Sequence, residues 1–276
     1  MKFAILESRK KSSMFQRKIK FEEVFFRDKS FYYIEIYRKN PCCNFEEKEI
    51  KKLKKLFIRL DIGEIIYKGN EKSLFTLKDN INIIDGASLF IEYMKSCCEK
   101  IIRDSSLSPK EVKIFIYDPF LKYGEKLIYE LSKISSAVKI FTFKEETAKN
   151  ISRDIMQNFG ACVLWTSYIE KIEDYKIIIL CANSKGFFMD REVNKNSLIF
   201  TPEKQNKKSI YNIIDEINIR LPPNMEEFRR FSCNFLLLSA FIKYNFINPP
   251  KEDIISFRGY NKEYYQDDIA RILNNS

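Results

Sequence analysis

The stretch Val112-Lys113-Ile114-Phe115-Ile116-Tyr117-Asp118-Pro119-Phe120-Leu121 decides the fold. Val112 to Tyr117 reads as a strand. Asp118 then caps a helix that Pro119 opens, and the helix is expected to run to Ile134. Leu121, Gly124, Leu127, Ile128, Leu131 and Ile134 would lie on one face of it. The same alternation continues downstream. Residues 138–143 read as a strand, and 145–158 as a helix with Ala148, Ile151 and Ile155 inward and Gly160 at its end. Residues 161–165 form the third strand. The run from Tyr175 to Ala182 is apolar throughout, as a strand buried on both faces must be. Residues 197–201 are the fifth. Alternating strands and helices predict a parallel sheet with right-handed crossovers and helices on both faces, a Rossmann-like α/β domain.

The flanks read differently. Residues 1–84 look like a small basic α+β domain, with strands near 2–6, 21–26, 31–37 and 64–67 and a helix over 45–60. Ile50, Leu53, Leu56, Phe57 and Leu60 recur at helical spacing there, and lysines fill the other face. Asp85 reads as the N-cap of a helix carrying Ala87, Phe90, Ile91, Met94, Cys98, Ile101 and Ile102 inward. The expected division is 1–84, then 85–248 including C-terminal helices over 210–219 and 224–246, then a tail over 249–276. Asn224 and Glu227 suggest a capping box for the long helix. Phe231, Phe235, Leu238 and Phe241 are its expected buried positions.

Composition removes several chemistries. The 276 residues contain no histidine, so His-based triads, Cys–His dyads and His-ligated metal sites are out. The seven cysteines form no CxxC pair, and their odd number suits reduced thiols in a cytoplasm better than a disulfide framework. The most apolar run, Phe235 to Ile242, is far shorter than the ~20 residues a bilayer span needs. A soluble cytoplasmic protein with no membrane partner is expected. The net charge of +10 is uneven, because residues 1–60 hold 17 Lys and Arg against 8 Asp and Glu. Arg9, Lys10, Lys11, Arg17, Lys18 and Lys20 are therefore candidate polyanion-binding residues, with nucleic acid as an alternative partner. A functional patch would place them on one face, extended by Lys48, Lys51, Lys52, Lys54 and Lys55.

Three landmarks resemble the shikimate dehydrogenase family over about Asn82 to Asn248. Asn82-Ile83-Ile84-Asp85-Gly86-Ala87-Ser88-Leu89-Phe90 is similar to the family's Asn-Thr-Asp-Gly-x-x-Phe entry. The strand and helix order after Val112 is similar to its nucleotide-binding domain. Cys181-Ala182-Asn183-Ser184-Lys185-Gly186-Phe187 is similar to its Asn-Ala-Thr-x-x-Gly-Met turn, which lies beside the nicotinamide. The resemblance implies a dinucleotide-binding dehydrogenase, with Asp85 as the one catalytic position that carries over. Lys144 and Lys149 stand where NADP-binding members place basic residues.

The chain departs from that pattern at the chemistry. A dinucleotide site needs glycines in the first turn, so that backbone can approach the pyrophosphate. Here Asp118 brings a negative charge and Pro119 removes a donor. The family's substrate-binding serines and catalytic lysine have no counterpart in residues 1–84. No catalytic residue, no cofactor and no metal is therefore assigned, with NADP kept as the alternative cofactor. The expectation is a Rossmann-like protein that binds a small molecule or a protein partner. Its candidate ligand-binding residues are Tyr117, Asp118, Phe143, Lys144, Asn183 and Ser184, at the carboxyl ends of strands. An NAD(P)-dependent oxidoreductase with an altered phosphate site and a nucleic-acid-binding protein are the alternatives.

Overall fold

The computed structural model describes residues 2–13, 18–41, 43–68, 77, 79–84, 86–105, 107–135, 137–168, 172–181, 187, 193–202, 209–220, 225, 228, 234–246, 254–259 and 262–274. In chain order the elements begin β1 (Lys2–Lys10), β2 (Ile19–Phe26), β3 (Lys29–Arg38), α1 (Glu47–Arg59), β4 (Ile62–Lys68) and α2 (Ala87–Ser105). There follow β5 (Lys113–Tyr117), α3 (Gly124–Leu131), β6 (Ala137–Phe141), α4 (Glu145–Phe159), β7 (Cys162–Thr166), β8 (Ile177–Leu180) and β9 (Leu198–Phe200). The chain ends with β10 (Asn212–Ile214), β11 (Glu216–Ile219), α5 (Asn234–Lys243), β12 (Ile254–Gly259), β13 (Lys262–Tyr264) and α6 (Gln266–Asn274). It divides into two compact units, Met1–Gly86 with Arg220–Lys251, and Ala87–Ile219 with Glu252–Ser276.

The second unit contains a six-stranded parallel sheet flanked by helices. Its order is β10-β9-β8-β5-β6-β7. Counted from β5, that is the Rossmann order 3-2-1-4-5-6, and the order reverses between β5 and β8. Side-chain alternation gives the sheet two dry faces. Ile140 of one face lies under α3, while Phe115, Phe141, Ile178 and Leu180 of the other pack with Ile172, Phe187 and Val193. The helix α2 belongs to this unit, and its Phe90 meets Phe200 of β9. The expected N-cap, Asp85, lies outside the described residues.

The first unit is a four-stranded sheet of order β2-β3-β1-β4, with β2 antiparallel to β3 and the other pairs parallel. Period-two alternation again decides which side chain goes where. Ala4, Leu6, Tyr32, Ile34 and Ile36 pack with Ile50, Leu53, Leu56 and Phe57 of α1. Phe3 and Phe31 point the other way, stacked at 4.9 Å, and meet Phe241 of α5. Phe26, Phe228 and Phe246 complete that aromatic layer. Buried Arg38 ties the end of β3 to the start of α1. It pairs with Glu49 at 3.1 Å, donates to the carbonyls of Cys43 and Asn44, and lies 4.1 Å over the Phe45 ring.

Several expectations are corrected. Residues 210–219 are not a helix but β10 and β11, because their isoleucines alternate between a sheet neighbour and a second small sheet. Residues 220–248 were expected with the Rossmann-like domain and 249–251 with the tail; the chain groups Arg220–Lys251 with the first unit, where the described Phe228, Phe241 and Phe246 pack. The expected tail contains the hairpin β12–β13, joined to β11, and the helix α6. Asn274 of α6 bonds back to the Ser105 carbonyl at the end of α2. Of the four expected anchors in 224–246, Leu238 and Phe241 are fully buried. Phe231, the side chain of Phe235, Asn224 and Glu227 lie outside the described residues.

Two expected outcomes follow from this packing. Cys97 and Cys98 are buried on α2 and Cys181 after β8, and burial pushes all three thiols up, whereas Cys43 and Cys162 are exposed. Maleimide labelling of the native protein, read by peptide mapping, should modify Cys43 and Cys162 and spare the other three. Rapid labelling of Cys97 or Cys98 would contradict the packing of α2. Arg38→Ala takes the guanidinium from Glu49, which keeps the Glu46 N–H, and from two carbonyls, and should destabilise by on the order of 3 kcal/mol. A shift in the urea midpoint worth less than about 1 kcal/mol would place this pair among ordinary surface ion pairs.

Candidate functional site

The carboxyl end of β5 is held by its neighbours through backbone hydrogen bonds. The Cys181 N–H donates to the Tyr117 carbonyl at 2.9 Å, and the Asp118 N–H to the Phe141 carbonyl at 3.1 Å. The Pro119 carbonyl accepts from the Phe143 N–H at 3.0 Å and from the Thr142 hydroxyl at 3.2 Å. Thr142 Oγ1 in turn accepts the Lys144 N–H at 3.1 Å. The turn closes when the Leu121 N–H bonds the Asp118 carbonyl, with Leu121 in the left-handed region at φ 53°.

The helix does not begin at Pro119 as expected; it begins at Gly124. Asp118 does not cap it from the adjacent position. Its carboxylate folds forward instead, and Oδ2 accepts the N–H groups of Tyr123 at 2.8 Å and Gly124 at 2.7 Å. These donors belong to the helix N-terminus, the place where Rossmann domains hold a phosphate. Asp118 is only 1% exposed, so its charge is satisfied internally. Gly124 permits the close approach. A Cβ there would lie 2.8 Å from Ile140 Cδ1 and 3.3 Å from Asp118 Oδ2. It performs the helix–strand packing that the last glycine of a dinucleotide fingerprint performs.

Aromatic rings surround this turn. Tyr117 stacks on Phe141 at 5.1 Å and meets Phe187 at 5.3 Å, and Phe187 is fully buried. Phe143 contacts Phe141 at 5.1 Å and Phe120 at 6.4 Å. Phe120 and Phe143 are 69% and 59% exposed, so the strand ends present two rings to solvent. Lys144 is exposed beside them, and Lys149 lies over the Trp165 ring. Tyr117, Asp118, Phe143 and Lys144 thus share one sheet edge. Asn183 and Ser184 lie outside the described residues. On the outer side, Leu121, Lys122 and Tyr123 also line a cleft of 510 Å³ against Ser88, Ile91 and Glu92 of α2.

The basic candidates behave otherwise. Alternation along β1 sends Arg9 and Lys10 to opposite faces. Arg9 shares the Glu7 face, pairing with Glu7 and Glu35, each at 2.9 Å, while α1 with its lysines covers the other face. Among the described residues, the expected single basic face is therefore not formed. Lys11 donates its N–H to the Arg38 carbonyl, exposed Lys18 accepts the Tyr37 N–H at its carbonyl, and exposed Lys20 lies 5.4 Å over the Tyr37 ring. Arg17 lies outside the described residues. Phe120, Gly124 and Phe187 of the strand-end cluster, and Glu7 and Glu35 of the network around Arg9, were not among the candidate site residues read from the sequence. The signal for the network was present, in the period-two polar positions Glu7 and Arg9 beside Tyr33, Glu35 and Tyr37.

No family model matches the chain, and no curated protein does. Among solved structures it is similar to L-tryptophan dehydrogenase from Nostoc punctiforme, at 11% identity over 99% of this chain and 80% of that one, with a TM-score of 0.37. It is also similar to shikimate 5-dehydrogenase from Listeria monocytogenes, solved with shikimate and NAD, at 11% identity over 87% and 86%, with a TM-score of 0.30. The match to Δ1-pyrroline-2-carboxylate reductase from Thermococcus litoralis spans 40% of this chain and 36% of that one, at 13% identity and a TM-score of 0.26. The fold itself rests on the order and direction of β5 to β10, which define a Rossmann-like α/β protein. Among the described residues, no helix is long and apolar enough to cross a membrane.

The Glu7 carboxyl has a signed pH consequence. Burial pushes it up, but hydrogen bonds from Tyr33 and Arg9, with Lys68 nearby, outweigh this and hold it below the usual carboxylate range. A lowered folded-state value stabilises above the unfolded value of about 4.3, and that contribution is lost as pH falls through the folded one. Glu7→Gln should therefore melt below wild type at neutral pH and converge on it in acid. Melting curves of the two proteins separated by a constant interval from neutral pH to pH ~3 would contradict this.

Proposed function

We propose that the chain is a Rossmann-like protein that works by binding a ligand or partner at the carboxyl edge of its six-stranded sheet, without hydride transfer. One observation supports this reading above the others. Asp118 Oδ2 already holds the Tyr123 and Gly124 N–H groups. A pyrophosphate brought to that helix start would find its donors engaged and a carboxylate beside it. Two like charges about 4 Å apart repel by roughly 4 kcal/mol at a partly screened site. Pro119 offers no N–H, and the side chain of Leu121 occupies a turn in which a dinucleotide site uses glycine. The binding surface is then the exposed pair Phe120 and Phe143 with Lys144, floored by Tyr117. Aromatic faces beside a cation suit planar or anionic groups.

Fluorescence titration with NADPH tests this. The unmodified protein should show no saturable binding at micromolar nucleotide. Asp118→Gly with Pro119→Gly should admit nucleotide, at a stability cost of about 1–3 kcal/mol for each of the two N–H groups left unpaired. Micromolar affinity in the unmodified protein would overturn this reading in favour of an NAD(P)-dependent oxidoreductase.

A further inference from the structure

The carboxyl edge of the first unit's sheet holds a polar network with no role in the reading above. The parallel strands of that sheet lie in the order β3-β1-β4. From β1 the chain passes to β3 on one side, then crosses with α1 to β4 on the other, so the order reverses between β1 and β4. Open α/β sheets bind ligands outside the carboxyl ends of strands at such a reversal. At this one stand Arg9 and Lys10 of β1 and Lys68 of β4.

Arg9 is fixed before any ligand arrives. Its Nε forms an ion pair with Glu35 Oε1 at 2.9 Å, and one terminal nitrogen, Nη2, donates to Glu7 Oε2 at 2.9 Å and to the Tyr33 hydroxyl at 3.1 Å. The Tyr33 hydroxyl also donates to Glu7, and Tyr37 donates to Glu35 at 2.8 Å. The two carboxylates are partly buried, at 16% and 17% side-chain exposure, while the Arg9 side chain is 46% exposed. Nη1 makes no hydrogen bond to any described residue. Lys68 Nζ reaches to within 3.6 Å of Glu7 from the neighbouring strand. A planar guanidinium is thus clamped on one side and left open on the other. That arrangement loses little side-chain freedom on meeting an anion.

We propose that this edge binds a small-molecule oxyanion, a carboxylate or a phosphate, on the Nη1 side of Arg9 with Lys68 as a second cation. The carboxylates decide the size of the ligand. A single oxyanion approaches the open edge of Arg9 and leaves Glu7 and Glu35 behind it. An extended polyanion would also run past Glu7, Glu35 and the exposed Glu22 of β2, and would be repelled.

The test is isothermal titration of the full chain with inorganic phosphate and, separately, with succinate, at low ionic strength against a chloride control. Millimolar or tighter binding of one probe is expected, and which of the two binds identifies the ligand's anionic group. Arg9→Gln should weaken it by at least about tenfold, the loss of a charge-assisted hydrogen bond. Arg9→Lys keeps the charge but not the fork and should weaken it in the same direction. Lys68→Gln should weaken it several-fold, and exposed Lys122→Gln in the other unit should leave it unchanged. Arg9 bridges two carboxylates, so circular dichroism checks each variant's fold; if Arg9→Gln does not fold, Arg9→Lys and Lys68→Gln decide. Binding of neither probe beyond chloride would overturn the proposal, and so would undiminished binding in the Arg9 and Lys68 variants. Tight, steeply salt-dependent binding of an oligonucleotide that survives Arg9→Gln would overturn it in favour of a polyanion surface.

Discussion

The hydrogen bonds from Tyr123 and Gly124 to the Asp118 carboxylate determine the surroundings of the β5 switch point. A helix N-terminus carries unpaired donors and a partial positive charge. Something anionic or polar must meet them when they are buried. Here the chain supplies the anion itself, from the residue directly after the strand. That choice delays the helix to Gly124, turns Leu121 into the left-handed region and draws Pro119 down so that its carbonyl bonds Phe143 and Thr142. Gly124 suits the approach to Ile140, whose terminal methyl would have to shift to admit a Cβ. The aromatic edge follows, since the same turn carries Phe120 out beside Phe143.

The strands of this sheet were legible because both of its faces are dry. Ile114-Phe115-Ile116 and Ile177-Ile178-Ile179-Leu180 are apolar at every position, and only a doubly covered strand requires that. The direction of the strands followed from the helices between them. The same logic failed for 210–219. Ile210, Ile213, Ile214 and Ile217 satisfy a helical stripe as well as two short strands, and length is a poor arbiter for segments this brief. The assignment came from partners far away in sequence, since Ile214 pairs with Phe200 and Ile217 with Phe257. Local periodicity carries no information about either.

The placement of 220–251 was illegible for a related reason. Its apolar residues announce burial, and Leu238 and Phe241 are buried. They do not announce against what. Phe241 closes a layer in which Phe3, Phe26 and Phe31 lie more than two hundred residues earlier. The candidate site shows the same limit at shorter range. The sequence located a negative charge at Asp118 and an edge containing Tyr117, Phe143 and Lys144. It could not show that the carboxylate reaches forward five and six residues, because that depends on the path of a turn with no regular period.

Charge gives the sharpest contrast between composition and structure. The first sixty residues carry a net +9, yet Arg9, one of the cations that suggested a basic surface, stands between two carboxylates. Counting charges along the chain treats Arg9 and Lys10 as one feature. The pleat separates them onto opposite faces, and cross-strand register then decides each partner: Glu7 stands opposite Glu35 and Lys68, while Lys10 stands opposite Arg38. Two adjacent glutamates would repel across β1 and β3 if Arg9 and Lys68 did not lie against them. The guanidinium is therefore part of what allows these strands to pair in this register. Its open side is left over from that structural duty, and a group fixed by folding is already oriented for whatever anion reaches it.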